Sequence, residues 1–454
     1  ISLSIGDIGM KGAIPAAGSQ TNLPTLTYEL LLKMKGSPLK EINFDEILKI
    51  DNEQLKPLRN DNAFYEALEN PINSFSIKDI GLSQKVTIVV NDNTRKVPLT
   101  KMIRAVVGTI GNHRKERVRF VIATGTHKAI DPKMLGIDVD IINSYSFYNH
   151  DSKDYKNLIY VGDVPSKYEY FPNRLNNSFL KQFHDLARDP DKFLFTEAHM
   201  KSPEKVFINR LAVETDLVIL IGGIRPHYFA GFSGGAKNLV PGCTGRHFIL
   251  RNHFYKIHPS ATIGNLENNI VRDELEEAAL LCDNVFNYNV VLGPENEVLD
   301  VVAGHMIDSH RRGASICQGR LRVKSSKFDA VLVTDSWPVT MSVKQIKKVV
   351  ASACRIVNEN GLIVVIGECK EGLGSDSSLN DRVFKIHLGK IKPPGVDIFI
   401  HSSVDKKDIE LSGFFMYLNG LEHGIEYVKK KLGRKPSVAF IPNGSAIIPE
   451  VVSE

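Results

Sequence analysis

The stretch "DLVILIGGIRPHYFAGFSGGAK" (residues 216–237) joins a strongly apolar run to a segment rich in glycine and polar side chains. The run "LVILIGG" has the length and the β-branched content of a strand that is buried on both faces of a sheet. His227 follows directly after Pro226, and a Ser-Gly-Gly turn with Lys237 comes shortly afterwards. Such a segment could bind phosphate, hold a metal or simply turn the chain, and the rest of the sequence must decide between these uses.

Similar apolar runs alternate with amphipathic stretches along most of the chain. They are "KVTIVV" (85–90), "VRFVIAT" (118–124), "FNYNVVLG" (286–293), "FDAVLVTD" (328–335), "GLIVVIG" (361–367), "GVDIFIHS" (395–402) and "SVAFIPNG" (437–444). The stretches between them, such as "LTKMIRAVVGTI" and "VKQIKKVVASACRIV", have the period of helices. Strands that are crossed over by helices predict an α/β protein with mostly parallel sheets flanked by helices.

The chain length and the grouping of the strands predict two domains with a cleft between them. We place the boundary in the basic connector "GRLRVKSSK", which gives an N-terminal domain over residues 1–322 and a C-terminal α/β domain over residues 323–454. The segment 163–204 is polar and weakly periodic, and it is predicted to be an insertion or flap.

The overall composition limits the classes of partner. The 454 residues are 43% hydrophobic and 24% charged with a net charge of +5, a mild and evenly spread charge that does not predict a nucleic-acid partner. Five scattered cysteines without a CxxC pair indicate reduced thiols. The apolar runs are far shorter than the ~20 residues of a membrane span. With no signal peptide recognised either, we expect a cytoplasmic protein without a membrane partner.

Polar side chains follow three of the predicted strands, at the point where each strand ends. Because ligands of open parallel sheets bind beyond the carboxyl ends of the strands, these side chains are expected to share one crevice. They are Asp92, Thr94 and Arg95 in "NDNTRKVP", His127 in "TGTHKA", and His227 and Lys237 in the opening stretch.

Each of these residues also has an ordinary structural interpretation. Arg95 could bind a carboxylate or phosphate, or form a surface salt bridge. His127 could exchange protons near neutral pH, or be a hydrogen-bonded turn residue, and His227 could be a metal ligand or a base. The Ser233–Gly235 turn could offer amide groups to an anion, or be only a tight turn. No GxGxxG follows a strand, so a nicotinamide dehydrogenase is not supported.

Taken together, "NDNTRKVP", "ATGTHK" and "DLVILIGGIRPHYFAGFSGGAKNLVPG" resemble the nickel-pincer-nucleotide lactate racemase family. In the C-terminal part, "WPVTMSVKQIKKVV" and "GLIVVIGECKEGLGS" are similar to the second domain of that family. The resemblance implies two α/β domains, of which the first binds the cofactor and carries the catalytic residues while the second closes the cleft. It implies a cofactor that is a nickel pyridinium-3,5-bisthiocarboxylic acid mononucleotide.

The resemblance also implies roles for particular residues. His227 would be the protein's nickel ligand, an imidazole that completes a sulfur-rich site. The other proposed cofactor contacts are Asp92, Thr94, Ser233, Gly234, Gly235 and Lys237. Arg95, Gln345 and Lys348 would bind the substrate, with Gln345 and Lys348 sharing one helix face. His127 and His199 would be the two acid/base residues, although His199 could instead be an exposed histidine of the flap.

The implied reaction is inversion of the hydroxyl-bearing carbon of a small-molecule 2-hydroxyacid, which makes the chain a racemase or epimerase. One departure is clear, because Arg210 follows Asn209 where family members with a tethered cofactor have a lysine. Arginine cannot form that thioamide link, so we expect a noncovalently held cofactor or a member that has lost it. The alternative is a non-catalytic protein that binds a nucleotide or metabolite on the same scaffold.

Overall fold

The computed structural model describes Leu39 and residues 42–81, 83–170, 197–374 and 378–452. Over these residues the chain forms two six-stranded sheets, each flanked by helices, which confirms the predicted α/β class with mostly parallel sheets. All eight apolar runs singled out in the sequence lie in strands of these two sheets.

The first sheet is parallel except at one edge. There Val298–His305, the last of its strands along the chain, runs antiparallel to Val285–Leu292. Its strands, in spatial order, are Val298–His305, Val285–Leu292, Leu217–Ile224, Val86–Asn91, Val118–Ala123 and Ser146–Asn149. The strand Leu217–Ile224 therefore lies near the middle, as its uninterrupted apolar sequence predicts.

The second sheet is parallel throughout. Its strands, in spatial order, are Glu46–Ile47, Val438–Ile441, Phe328–Val333, Val357–Ile366, Asp397–His401 and Met416–Tyr417. The first of these comes from the beginning of the chain, a pairing that a boundary near residue 322 did not anticipate.

Helices connect and cover the strands. Before residue 322 they are Asn52–Leu55, Asn62–Glu69, Leu99–Ile110, Val139–Ser144, Glu197–Lys201, Arg210–Val213, Arg246–Phe254, Ile270–Ala279 and Asp308–Leu321. After it they are Val343–Ile346, Val350–Ile356, Ser378–Ile391, Lys406–Ser412 and Leu421–Leu432. None of the helices within the described ranges is long and apolar enough to cross a membrane.

The continuous apolar strands are explained by burial on both faces. In the strand Val86–Asn91, Ile88 and Val90 belong to one apolar cluster, Val89 belongs to the cluster on the opposite face, and all three are fully buried. A strand covered by helices on both sides gains from apolar residues at every position. The two halves of the molecule also share a core, since Ile224 and Val331 lie in one cluster.

Three two-stranded sheets are formed in addition to the two six-stranded sheets. Leu158–Val164 pairs with Glu204–Asn209, Pro226–His227 pairs with Gly231–Phe232, and Arg322–Ser325 pairs with Ile448–Val451. The first pair brings together the two ends of the predicted flap 163–204. Most of that flap lies outside the described residues.

Asp329 is expected to be a stability determinant of the second sheet. Burial alone would raise its pKa, but hydrogen bonds from Arg434, Ser437 and Asn358 lower the pKa of Asp329 from 3.8 to about 2. The stabilisation is therefore present above pH 3.8 and is lost as the pH falls towards 2. Because Arg434 is mostly exposed and its charge is screened, we expect Asp329→Asn to lower the free energy of unfolding by about 1–2 kcal/mol at pH 7.

Urea unfolding of both proteins at pH 7 and at lower pH measures this effect. The exposed pair of Asp61 with Lys101 provides a control, and Asp61→Asn is expected to change the free energy of unfolding by under about 0.5 kcal/mol. A deficit in Asp329→Asn that did not shrink on acidification would contradict the assignment.

Candidate active site

The strand Leu217–Ile224 runs directly into the tight turn that presents His227. Pro226–His227 pairs antiparallel with Gly231–Phe232, and Gly231 has a φ of +72°. A Cβ at Gly231 would lie 2.1 Å from the carbonyl oxygen of Asn265, so the turn needs glycine for its close approach as well as for its dihedral angle. The His227 ring packs edge-on against Phe229, with centroids 4.6 Å apart, and Nδ1 accepts a hydrogen bond from the Ala230 amide.

A cavity at the carboxyl ends of the strands lies in front of His227. Its wall is built by both halves of the molecule, because Arg95, Arg225 and His227 line it from the first half, and Lys348 and Ser445 line it from the second. The sequence placed Arg95, His227 and Lys348 at the site, and the structure brings these three together.

The cavity is strongly electropositive. Burial and the nearby charges of Lys237, Arg95 and Lys348 hold the pKa of His227 well below 6.5, so its imidazole is neutral at physiological pH. Burial and the neighbouring cations also hold the pKa of Lys237 well below its usual 10.5. Within the described ranges, neither Lys237 nor Arg95 forms an ion pair with a carboxylate. No carboxylate is among the described residues that line the cavity, since Asp92 near Arg95, and Asp335 and Glu297 near Arg225, lie outside its wall. A wall of this composition fits an anionic ligand.

His127 forms a tight pair with Asp92. The Nδ1 atom of His127 lies 2.5 Å from Oδ2 of Asp92, and the backbone amide and hydroxyl of Thr94 donate to the other carboxylate oxygen. Burial would raise the pKa of Asp92, but the hydrogen bond from His127, its charge, and the contacts with Thr94 and Arg95 bring it below 3.8. Asp92 is thus an anion, and its oxygen beside Nδ1 of His127 favours a proton on that nitrogen, which leaves Nε2 to exchange protons.

This geometry changes the interpretation of Asp92 and Thr94. Both were expected to hold the cofactor, but the Asp92 carboxylate instead orients His127, and Thr94 donates to that carboxylate. Thr94 does line the cavity, whereas Asp92 is buried behind it. Because the two residues are 35 positions apart, their pairing was not predicted from the sequence.

Gln345 and Lys348 share one face of a helical segment, as predicted. Gln345 lies in the helix Val343–Ile346 and Lys348 in the 3₁₀ turn that continues it, and the Lys348 ammonium donates to Oε1 of Gln345. Only Lys348 is among the residues that line the cavity. Gln345 therefore contacts Lys348 but does not itself line the cavity.

In the Ser233–Gly235 turn, which was predicted to offer amide groups to an anion, two of the three backbone amides already have hydrogen-bond partners. The Ser233 amide donates to the carbonyl of Arg225, and the Gly235 amide donates to Oδ1 of Asn289 at 2.6 Å. Gly234 and Gly235 have positive φ values, and a Cβ on either would collide with Asn289 or His310. The turn is thus closely packed, and Lys237, which follows it, is not among the residues that line the cavity.

His199 and Arg210 are not brought to the cavity wall. His199 is exposed on the short helix Glu197–Lys201, with its ring beside that of His247. Arg210 pairs with Glu214 at 2.8 Å, and its side chain is 44% exposed. Neither residue is among those that line the cavity.

Two further cations line the cavity and were missed by the sequence analysis. Burial lowers the pKa of Arg225, and its Nε has no hydrogen-bond partner among the described residues. Lys96 lies 5.1 Å from the ring centroid of Trp337 and so joins the two halves across the cleft. In the sequence, Arg225 lies two positions before His227 and Lys96 follows Arg95. This proximity was the signal that could have identified both cations.

The described residues contain no group of three or more His, Cys, Asp or Glu side chains that could hold a metal ion. His227 stands as a single neutral donor among cations. A metal bound to it would need its remaining donors from a ligand rather than from the described part of the chain.

Comparison with known proteins gives the family. Residues 38–182 and 180–264, together half of the chain, match the family described as lactate racemase N-terminal domain. A lactate racemase from Thermoanaerobacterium thermosaccharolyticum is 28% identical over 68% of this chain, and one from Lactiplantibacillus plantarum is 26% identical over 68%. Each match spans 66% of the relative's own length.

Solved structures show the same fold. The lactate racemase apoprotein from Thermoanaerobacterium thermosaccharolyticum superposes with a TM-score of 0.73 at 23% identity, covering 90% of this chain and 95% of that one. A protein from Thermotoga maritima gives a TM-score of 0.62 at 16% identity, covering 87% and 99%.

The fold and the cavity define an α/β protein with an electropositive site between two largely parallel sheets. The chain belongs to the lactate racemase family.

Proposed function

We propose that this protein is an isomerase that inverts the hydroxyl-bearing carbon of a 2-hydroxyacid. The observation that carries the proposal is a cavity lined by Arg95 and a neutral His227, with the His127–Asp92 pair attached to the same wall through Thr94. A proton-exchanging imidazole, a guanidinium for a carboxylate and a single metal donor are the groups that such a reaction needs. The relatives' names support the same reaction class.

The residues of the cavity fit a nickel-pincer nucleotide. His227 offers a neutral imidazole, the form that can bind a metal, and no second protein donor competes with a sulfur-rich ligand within the described residues. Burial and neighbouring cations lower the pKa of Lys237, which forms no ion pair with a carboxylate there, and an anionic group of a nucleotide beside it would favour its protonated form. When bound, the cofactor supplies an acceptor for the hydride of the substrate carbon.

The chain's own residues hold the substrate and move its proton. Arg95 presents a planar fork, and Lys348 faces it from the other half, so a carboxylate between them is held by both. His127 takes the hydroxyl proton at Nε2, and the fixed charge of Asp92 stabilises the resulting imidazolium. His199 remains the proposed acid/base residue for the second face.

Noncovalent retention of the cofactor is part of the proposal. Arg210 stands where a tethering lysine is expected and is committed to Glu214 at the surface. We therefore expect intact-mass analysis of denatured protein to show the mass of the unmodified chain.

The proposal is tested with protein co-produced with the enzymes that make the cofactor. Chiral chromatography over a panel of 2-hydroxyacids should show inversion of at least one of them. Arg95→Gln is expected to raise KM about 30- to 100-fold, since a charge-assisted pair to the carboxylate is worth about 2–3 kcal/mol. The exposed Arg104, paired with Asp138 and Asp140, provides the control variant Arg104→Gln. Nickel-loaded protein that is inert on the whole panel would overturn the proposal.

A further inference from the structure

A second histidine–carboxylate pair lies outside the cavity wall. Nδ1 of His247 is 2.6 Å from Oε1 of Glu204, close to the 2.5 Å between His127 and Asp92. In both pairs the carboxylate is almost fully buried while the ring is partly exposed, at 30% for His247 and 41% for His127. A buried carboxylate on Nδ1 fixes the ring and leaves Nε2 as the nitrogen that exchanges protons.

The two pairs start from neighbouring backbone segments. The amide of Gly125, two residues before His127, donates to the carbonyl of Gly242 at 3.0 Å. His247 follows Gly242 by one short turn, at the start of the helix Arg246–Phe254. The Thr244 carbonyl in that turn is bonded to Nε2 of His150, which follows the strand next to that of Gly125. Both pairs are therefore anchored at the carboxyl edge of the first sheet, where the cavity lies.

His247 and Glu204 are also linked to His199. The rings of His199 and His247 pack edge to face, with centroids 6.4 Å apart and planes at 74°. Arg251, which is 1% exposed, donates to the carbonyl of His199 at 3.2 Å and to Oε2 of Glu204 at 2.8 Å. One buried guanidinium thus fixes the backbone of His199 and the carboxylate of Glu204 relative to each other.

We propose that His247 and Glu204 are positioning residues for His199: the rings of His247 and His199 pack edge to face, and Glu204 holds the His247 ring at Nδ1. This inference rests on the proposed function. When His199 takes a proton from the substrate hydroxyl, the proton stays on its imidazole, and the negative charge of Glu204 balances it through the intervening His247 ring. No proton passes to Glu204, and His199 returns its proton when it acts as the acid.

Other charged or titratable groups also lie near His247. Arg246 precedes it in the chain, the Tyr155 hydroxyl accepts from the His247 backbone amide at 3.3 Å, and Arg251 is already bound to Glu204. Glu204 is thus the carboxylate that contacts the His247 ring, and its removal is the change that should be felt at His199.

The test uses the cofactor-loaded protein with His247→Gln and Glu204→Gln. We expect kcat to fall about 10-fold in both variants. One limb of the pH profile of kcat/KM should move to lower pH by about one unit in Glu204→Gln, because a charge that stabilises an imidazolium is lost, and should also move in His247→Gln, where the ring between His199 and that charge is lost. KM and nickel content should not change. His305→Gln is the matched control, since His305 is similarly exposed and pairs with Asp308 at 3.0 Å; both of its limbs should stay in place.

A second readout does not depend on catalysis. In the cofactor-free protein, the NMR titration midpoint of the His199 ring should move to lower pH in Glu204→Gln. Glu204→Gln removes one of two carboxylates near the buried Arg251, whose Nε also lies 3.7 Å from Oε1 of Glu274. A second variant, His247→Gln, tests the ring contact with Glu204 intact: it should change the titration midpoint of His199, whereas a role in packing alone would leave the midpoint in place.

The outcomes separate the two proposals. An inert wild-type holoprotein would overturn the proposed function, while the NMR midpoint would still test the link to His199. An active wild type whose variants keep both limbs in place, or lose kcat without moving a limb, would show that the His247–Glu204 pair only supports packing.

Discussion

His127→Gln is expected to lower kcat by about three orders of magnitude while leaving KM within a few-fold of the wild type. A positioned acid/base group contributes typically about 10²–10⁴-fold. Glutamine preserves a hydrogen bond to Asp92 but cannot accept a proton at the position of Nε2. The substrate carboxylate would still be held by Arg95 and Lys348, so binding is retained while proton transfer is lost.

Asp92→Asn separates the orienting role of Asp92 from the chemistry. Asparagine can donate a hydrogen bond to Nδ1, which would move the ring proton to Nε2 and remove the base, so kcat is expected to fall about 10²-fold or more. Since the pKa of Asp92 lies below 3.8, its charge is present throughout the assay range, and the loss should be seen at every pH above about 4.

Steady-state kinetics in both directions measures these effects. His423→Gln is the control, because His423 lies exposed on the helix Leu421–Leu432, away from the cavity. Full activity of His127→Gln would remove His127 from the acid/base role. A loss confined to KM would place His127 among the binding residues instead.

His227→Ala is expected to reduce bound nickel from near-stoichiometric to background and to abolish inversion. His227 is a neutral imidazole at the cavity, and no cluster of further protein donors is present within the described residues. Because its pKa lies well below 6.5, protons do not compete with the metal at neutral pH, and nickel should be retained in mildly acidic buffer.

Metal analysis of purified holoprotein checks this without an activity assay. His253→Gln is the matched control, since the His253 ring also packs on Phe229, with centroids 5.2 Å apart, but does not line the cavity. Stoichiometric nickel in His227→Ala would assign the metal to another site and remove His227 from the proposed machinery.

Single residues show which features of the site could be predicted from the sequence. Arg95, His227 and Lys348 were expected at one site from their motifs, and they line one cavity. The Ser233–Gly235 turn was expected to bind an anion from its glycines alone. Two of its amides are used by Arg225 and Asn289 instead, because glycine also permits close packing, and composition cannot distinguish the two reasons.

Pairings between distant residues could not be predicted. Glu204 and His247 are 43 positions apart, and the sequence analysis singled out neither of them. Arg225 lies two positions before His227 but was not selected in the sequence analysis, since an arginine after a strand is ordinary until its surroundings are known. The strand Glu46–Ile47 was missed because two residues carry no period, and it is placed only by pairing with Val438–Ile441.

The sequence by itself determined the eight strands that its apolar runs mark, and the tertiary contact with Asn265 shows why the turn at His227 needs glycine. An uninterrupted run such as residues 217–221 can be stable only between two covered faces, and Gly231 is required where a side chain would meet Asn265. The tertiary structure alone decided which groups act together: it set Asp92 behind His127, Lys348 opposite Arg95, and Glu204 behind His247. The reason is physical. Apolar burial is read along the chain, whereas the charge state of a side chain depends on neighbours that only folding brings near.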